Sequence, residues 1–190
     1  VEIQRSFWQE DLSYLMYNRD ILQNLSKDAL LDLIDIHARN FLALDGVWFQ
    51  SVERTRGLDE AMFHDTEAWR RYTVTEARRI KKFLGLAEHG GVAGLKDALL
   101  LRFNASVNDN LVEVDGNTVT CTVRTCRVQT ARKEKGMPYH PCKPVGFVEY
   151  EGFAKTIDPR FTCECLSCFP DVTDETCCCK WRFVLQDESC

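Results

Sequence analysis

The chain has 190 residues, 45% of them hydrophobic, a formal net charge of −5 and a sequence pI of about 5.4. That length buries an ordinary core as one domain without disulfides, and Lys and Arg scattered among Asp and Glu leave no basic footprint for nucleic acid. No apolar run approaches the roughly 18 residues of a membrane span.

Val1 to Ser6 hold no apolar secretory region, so the expected compartment is the cytoplasm. There, clustered cysteines serve as ligands or catalysts more often than as disulfides. Ser6 to Leu25 mixes apolar and charged positions at helical spacing, and the N-terminal helices offer a surface for a homo-oligomer. Ser26 then reads as the N-cap of a long helix with Asp28 in its first turn. Leu30, Ile34, Phe41, Leu44, Trp48 and Val52 form a near-heptad stripe expected to face the core. His37 lies on that stripe and Asp45 beside it. A core-edge histidine with a hydrogen-bonded carboxylate is the bland reading, and a ligand-binding pair is its rival.

Thr55-Arg56-Gly57 breaks this helix, and the next carries Leu58, Met62, Asp65, Trp69, Tyr72, Glu76, Ile80 and Phe83. Asp65 and Glu76 lie about three helical turns apart, so both project onto the face of Trp69 and Tyr72. Arg79 is the nearest partner for Glu76, with Arg78 and Arg70 as alternatives. The set reads either as a structural ion-pair network or as a pocket in which Asp65 or Glu76 is acid or base and Arg79 holds an anion.

Gly90, Gly91 and Gly94 form a joint before a short helix over Leu95 to Phe103. Strands follow at Leu111 to Val114 and Thr118 to Arg124, joined through Asp115-Gly116-Asn117. Val128 to Lys135 reads as a helix closed by Gly136, which puts Cys126 near a helix N-terminus, a place that lowers a thiol pKa. Val145 to Ile157 is another helix. A third strand over Arg160 to Leu166 carries Cys163 and Cys165 on one face, and Cys165-Leu166-Ser167-Cys168 is a C-x-x-C at its exit. In a fourth strand Cys179, Trp181, Phe183 and Leu185 alternate on one face. The fold class expected is α+β, a helical layer over 1–104 packed on a four-stranded antiparallel sheet with short inserted helices over 105–190.

All ten cysteines fall between Cys121 and Cys190. Cys126, Cys142, Cys165, Cys168 and Cys179 sit at element ends, where thiolates can converge on an iron–sulfur cluster or, second, zinc. Cys121 and Cys163 are expected to face the core, and Cys177, Cys178 and Cys190 to be exposed spares. Trp48, Trp69 and Tyr72, with His37 and Asp45, would line a small-molecule pocket between helices and sheet.

The run Leu42-Ala43-Leu44-Asp45-Gly46-Val47-Trp48-Phe49, the segment Asp65 to Lys82, Cys126-x-Val128-Gln129-x-Ala131-Arg132, Cys142-Lys143-Pro144, Ile157-Asp158-Pro159-Arg160, Cys165-x-x-Cys168 and Cys179-x-Trp181-x-Phe183 resemble a family of anaerobe proteins without an assigned activity. More distantly, Cys126, Cys142 and Cys179-x-Trp181-x-Phe183 resemble the L-2-amino-thiazoline-4-carboxylic acid hydrolases and the vinyl-4-reductase type of ligand-binding domain. That resemblance implies helices on an antiparallel sheet with a small-molecule pocket. Three functions are therefore expected: a cysteine-ligated cluster or zinc protein that cleaves a C–N or C–S bond, a metal-independent thiazoline-hydrolase-like enzyme with Cys126 or Cys142 as nucleophile, or a ligand-binding module with a structural metal.

Overall fold

The computed structural model describes residues 19–187. Most of the helical stretch expected over Ser6 to Leu25, and Cys190, lie outside them. Helix α1 (Arg19–Gln23) leads to α2 (Lys27–Arg56), whose N-cap Ser26 accepts from Ala29 N at 3.1 Å. Helix α3 (Leu58–Phe83) follows at Gly57, whose φ of 95° suits a residue without Cβ. Then come α4 (Gly91–Leu100), a 3-10 turn (Phe103–Ser106), β1 (Asp109–Asp115), β2 (Thr118–Thr125), α5 (Arg127–Glu134), α6 (Lys143–Ile157), β3 (Phe161–Cys168) and β4 (Cys179–Leu185).

The four strands form one antiparallel sheet in the order β1-β2-β4-β3. The fold is α+β, as the alternation of the strands and the periodicity of the helices predict. The layer in contact with the sheet draws on both halves of the chain. Helix α6, from the cysteine-bearing half, packs between α3 and β3, while α4 covers β1 and β2 and α2 packs on α3. The reason is close approach. A Cβ at Gly152 would meet Thr73 Cγ2 at 2.9 Å, and one at Gly146 would meet Trp181 Cζ2 at 2.7 Å, so two glycines let α6 nestle against α3 and the sheet. Both halves share one core, in which Ala77, Leu95 and Leu99 meet Phe153, Ile157, Trp181 and Phe183.

The stripe expected to bury α2 turns outward. Ile34, Phe41, Leu44 and Trp48 are exposed, and the inward face carries Ala38 and Phe49 with half-buried Leu42, Asp45 and Gly46. At the two ends of the stripe Leu30 and Val52 are half-buried, and Phe41 keeps its ring 5.0 Å from that of Tyr72 on α3. On α3 the expected face holds at Asp65, Trp69 and Glu76, all buried, whereas Leu58 and Phe83 at the two ends are exposed.

One irregularity in the sheet matters for the site. Cys165 pairs with Trp181 and Ser167 with Lys180, so Leu166 is an extra residue with no partner. In a regular strand, residues three apart face opposite ways. The bulge restores Cys168 to the face of Cys165 and sets it opposite Cys179. The C-x-x-C is thus inside β3, not at its exit.

Candidate active site

A cavity of about 880 Å³ opens between α2, α3, α5, α6 and the sheet end where Val123, Cys179 and Cys168 stand in one cross-strand row. Its lining includes Asp45, Asp65, Trp69, Cys126, His140, Cys142, Glu149, Cys168, Cys179 and Trp181. Its centre is the loop before α6. Cys142 is the N-cap residue of α6, with Pro144 in the first turn, and the Lys143 N–H donates to Phe169 O at 2.8 Å, which ties the start of the helix to the residue that follows β3.

His140 Nδ1 lies 3.3 Å from Cys142 Sγ, and His140 Nε2 lies 3.7 Å from Asp65 Oδ2. Gln129, buried on α5, fixes the loop. Its Nε2 donates to His140 O at 2.8 Å and its Oε1 accepts from His140 N at 2.9 Å, so the residue is held through both backbone groups. The same Nε2 donates to Cys142 Sγ at 3.0 Å. Phe49 packs its ring 4.7 Å from the His140 ring, and Arg132 ties α5 to α2 by donating to both carboxylate oxygens of Glu53 at 3.0 and 2.8 Å and to Pro138 O at 2.6 Å.

Burial lowers the His140 pKa to about 4, with the nearby Arg132 charge acting in the same direction, so the ring is neutral near pH 7. Burial lifts Asp65 to about 7, helped by the negative charges of Asp45 and Glu149, and lifts Asp45 to about 6. Burial also pushes Cys126 up to about 11, although amides of Gln129 and Val128 pull the other way. Its place at the start of α5 therefore does not make it acidic: desolvation outweighs the helix end.

Residues 23–185 match the family of unknown function DUF6125. The chain belongs to that family. No curated protein and no solved structure matches it.

The fold gathers the family member's chemistry selectively. Of the five thiols expected to converge, Cys126, Cys142, Cys168 and Cys179 line the cavity. Cys168 faces Cys179 across the β3–β4 ladder and shares the cavity with Cys142. Cys165 lies outside the lining. Among the described residues, no group of three or more His, Cys, Asp or Glu side chains is arranged to hold a metal ion. The nine described cysteines are free thiols; Cys121 is in the core as expected, but Cys177, expected to be exposed, is buried.

On the helical side, Asp65, Asp45 and Trp69 reach the cavity. His37 and Trp48 are exposed on the outer side of α2 and do not line it. Tyr72 stacks on Phe41 at 5.0 Å and meets Trp69 edge-on at 5.3 Å, an aromatic layer behind the cavity wall. Glu76 is not in the lining. Its partner is Arg102, not an arginine of its own helix: Arg102 Nη2 lies 2.8 Å from Glu76 Oε2, while Arg79 is exposed. Residues three apart on a helix are neighbours on its surface, but Glu76 is buried and Arg79 exposed, so a buried guanidinium from the α4 exit takes the place of the one on the same helix.

His140, Gln129 and Glu149 are site residues that the sequence reading passed over. The signal for the first was present. His140-Pro141-Cys142 places an imidazole and a thiol two residues apart in a proline-stiffened loop. Nothing in the sequence pairs Gln129 with that loop.

Proposed function

We propose that this chain is a small-molecule hydrolase in which Cys142 is the nucleophile, His140 its base and Asp65 the residue that orients the imidazole. The observation that carries this is the line Asp65–His140–Cys142 within one cavity, with His140 Nδ1 at 3.3 Å from the sulfur and Nε2 toward the carboxylate. Nucleophile, base and orienting group in sequence are the arrangement that thiol catalysis needs.

The steps follow from that geometry. The Cys142 thiol gives its proton to neutral His140 Nδ1, and the sulfur attacks an electrophilic carbon bonded to nitrogen. Gln129 Nε2 donates to the sulfur and holds it in the cavity. The C–N bond breaks as imidazolium protonates the leaving nitrogen. Water, deprotonated by His140, then hydrolyses the thioester and restores the thiol. Attack at C–N agrees with the thiazoline-hydrolase resemblance, and free thiols in such a site suit a reducing compartment such as the cytoplasm.

Iodoacetamide labelling near neutral pH followed by peptide mapping tests the reading. Cys142 is expected to be labelled first, and His140→Ala to slow it by about tenfold or more. Incubation with p-nitrophenyl acetate is expected to leave an acetyl group on Cys142. Equal labelling of Cys126 and Cys178, or a rate indifferent to His140→Ala, would overturn it.

A second reading has its own support: four of the expected thiols face one cavity. In that reading Cys126, Cys142, Cys168 and Cys179 hold an iron–sulfur cluster or zinc, and the protein is a metal-dependent enzyme or a binding module. Stoichiometric iron with a visible charge-transfer band in anaerobically purified protein would favour it, and a colourless, metal-free protein would remove it.

A further inference from the structure

The three thiols at the cavity floor invite a chemistry that hydrolysis does not use. Cys168 and Cys179 face each other directly across the β3–β4 ladder. Opposed residues of an antiparallel pair lie about 4.5–5.5 Å apart at Cα, inside the roughly 4.4–6.8 Å range that a disulfide spans. Cys142 lines the same cavity, and the Lys143 N–H donates to Phe169 O at 2.8 Å, which sets the start of α6 beside the end of β3. The bulge at Leu166 creates this arrangement, since without it Cys168 would face away from Cys179 and the cavity.

The three thiols are not equivalent. Cys168 is buried, and the neighbouring Cys142 and its own desolvation both hold it protonated; Cys179 is held protonated by Cys168 and by burial. Cys142 alone combines a helix N-terminus, an amide donor and an adjacent imidazole. Oxidation begins at the sulfur with most thiolate character.

We propose that Cys142, Cys168 and Cys179 form a thiol relay that reacts with hydroperoxides and ends in a reversible Cys168–Cys179 disulfide. The proposal rests on the reading of Cys142 as the reactive thiol. The Cys142 thiolate attacks the peroxide O–O bond, taking one oxygen as a sulfenic acid and releasing an alcohol or water once the leaving oxygen is protonated. The Cys168 thiol condenses with that sulfenic acid, forming a Cys142–Cys168 disulfide and one water. The Cys179 thiol, on losing its proton, attacks the Cys168 sulfur, and Cys142 leaves as thiolate. Two thiols have lost two electrons to the peroxide, and the nucleophile is regenerated before a second oxidation. An external dithiol returns the pair to its reduced form.

Full-length protein treated with hydrogen peroxide, alkylated and digested reads this out without any assay of hydrolysis. The expected result is a loss of two titratable thiols per chain and a linked Cys168–Cys179 peptide that dithiothreitol releases. Cys179→Ser is expected to trap the Cys142–Cys168 link. Cys168→Ser is expected to give no link and to drive Cys142 to sulfinic acid. Cys142→Ser, placed beside the strands and not within them, is expected to slow disulfide formation by about tenfold or more. An unchanged thiol count in the wild type, links that omit Cys168, or a rate indifferent to Cys142→Ser would overturn the relay. If iodoacetamide still singles out Cys142 while no disulfide forms, the relay fails and the nucleophile stands. If the disulfide forms at the same rate without Cys142, the relay fails in its first step.

Discussion

Arg102 Nη2 lies 2.8 Å from Glu76 Oε2 and 2.7 Å from Glu149 Oε1, so one buried guanidinium joins the α4 exit to both α3 and α6. It also lies 4.6 Å above the Phe153 ring. Its desolvation opposes its charge, but the two carboxylates outweigh that and hold it ionised. Arg102→Met is expected to cost about 3–5 kcal/mol because it strands two carboxylates in the interior. Glu76→Gln, which leaves Glu149 as partner, is expected to cost less. Urea denaturation of both variants checks the order; a Glu76→Gln variant that keeps its stability and loses esterase activity would return Glu76 to the chemistry.

The approach of Gly146 to the Trp181 indole leaves no room for a methyl group. Gly146→Ala is expected to destabilise by about 1–3 kcal/mol through overpacking and to shift Trp181 in the cavity wall. Chemical denaturation gives the first effect and tryptophan fluorescence the second. A variant matching the wild type in both would show that α6 can slide away from the sheet at little cost.

Stability should depend on pH through the buried acids. Asp65 titrates at about 7 in the fold against an ordinary value of 3.8 in the unfolded chain, so the folded chain binds its proton more tightly than the unfolded one. That contribution is complete below about pH 3.8 and is lost as pH rises through about 7; Asp45 adds the same sense up to about 6. His140 runs the other way, complete above about 6.5 and lost as pH falls through about 4. Asp65→Asn, neutral at every pH, is expected to be more stable than the wild type by on the order of 2 kcal/mol above pH 7 and to lose that advantage near pH 4. Urea midpoints at the two ends of that window decide it, and parallel curves for the two proteins would contradict the assignment.

Gln129→Met keeps the volume of the side chain but removes both hydrogen bonds to the His140 backbone and the donor to Cys142. The expected loss of stability is about 1–3 kcal/mol, from backbone groups left unpaired in a buried site. Iodoacetamide reactivity of Cys142 is expected to fall by about tenfold, because the sulfur loses a hydrogen-bond donor that positions it. Loss of stability with unchanged reactivity would confine Gln129 to a structural role.

Much of the chain was legible in order. The alternation of Val119, Cys121 and Val123, and of Cys179, Trp181 and Phe183, fixed two strands and their inner faces, because a period of two admits one buried side. Ser26 and Gly57 marked the ends of α2 through local hydrogen bonding and a positive φ, which need no tertiary partner. Asp65 and Glu76 share a helix face by arithmetic alone.

Their different fates were not legible. Asp65 meets His140 across 75 residues of chain, and Glu76 meets Arg102 across 26, contacts that only packing of α6 and the α4 exit creates. The α2 stripe reads as a core face, yet Ile34, Leu44 and Trp48 are exposed, because helical periodicity marks an apolar face without saying what covers it. A single unpaired residue, Leu166, turned Cys168 inward, and no spacing rule foretells a bulge. By itself the sequence determined the elements and the supply of thiols. The tertiary structure decided which thiols share a cavity and which imidazole lies beside them, because those distances are set by side chains remote in sequence that compete for the same buried space.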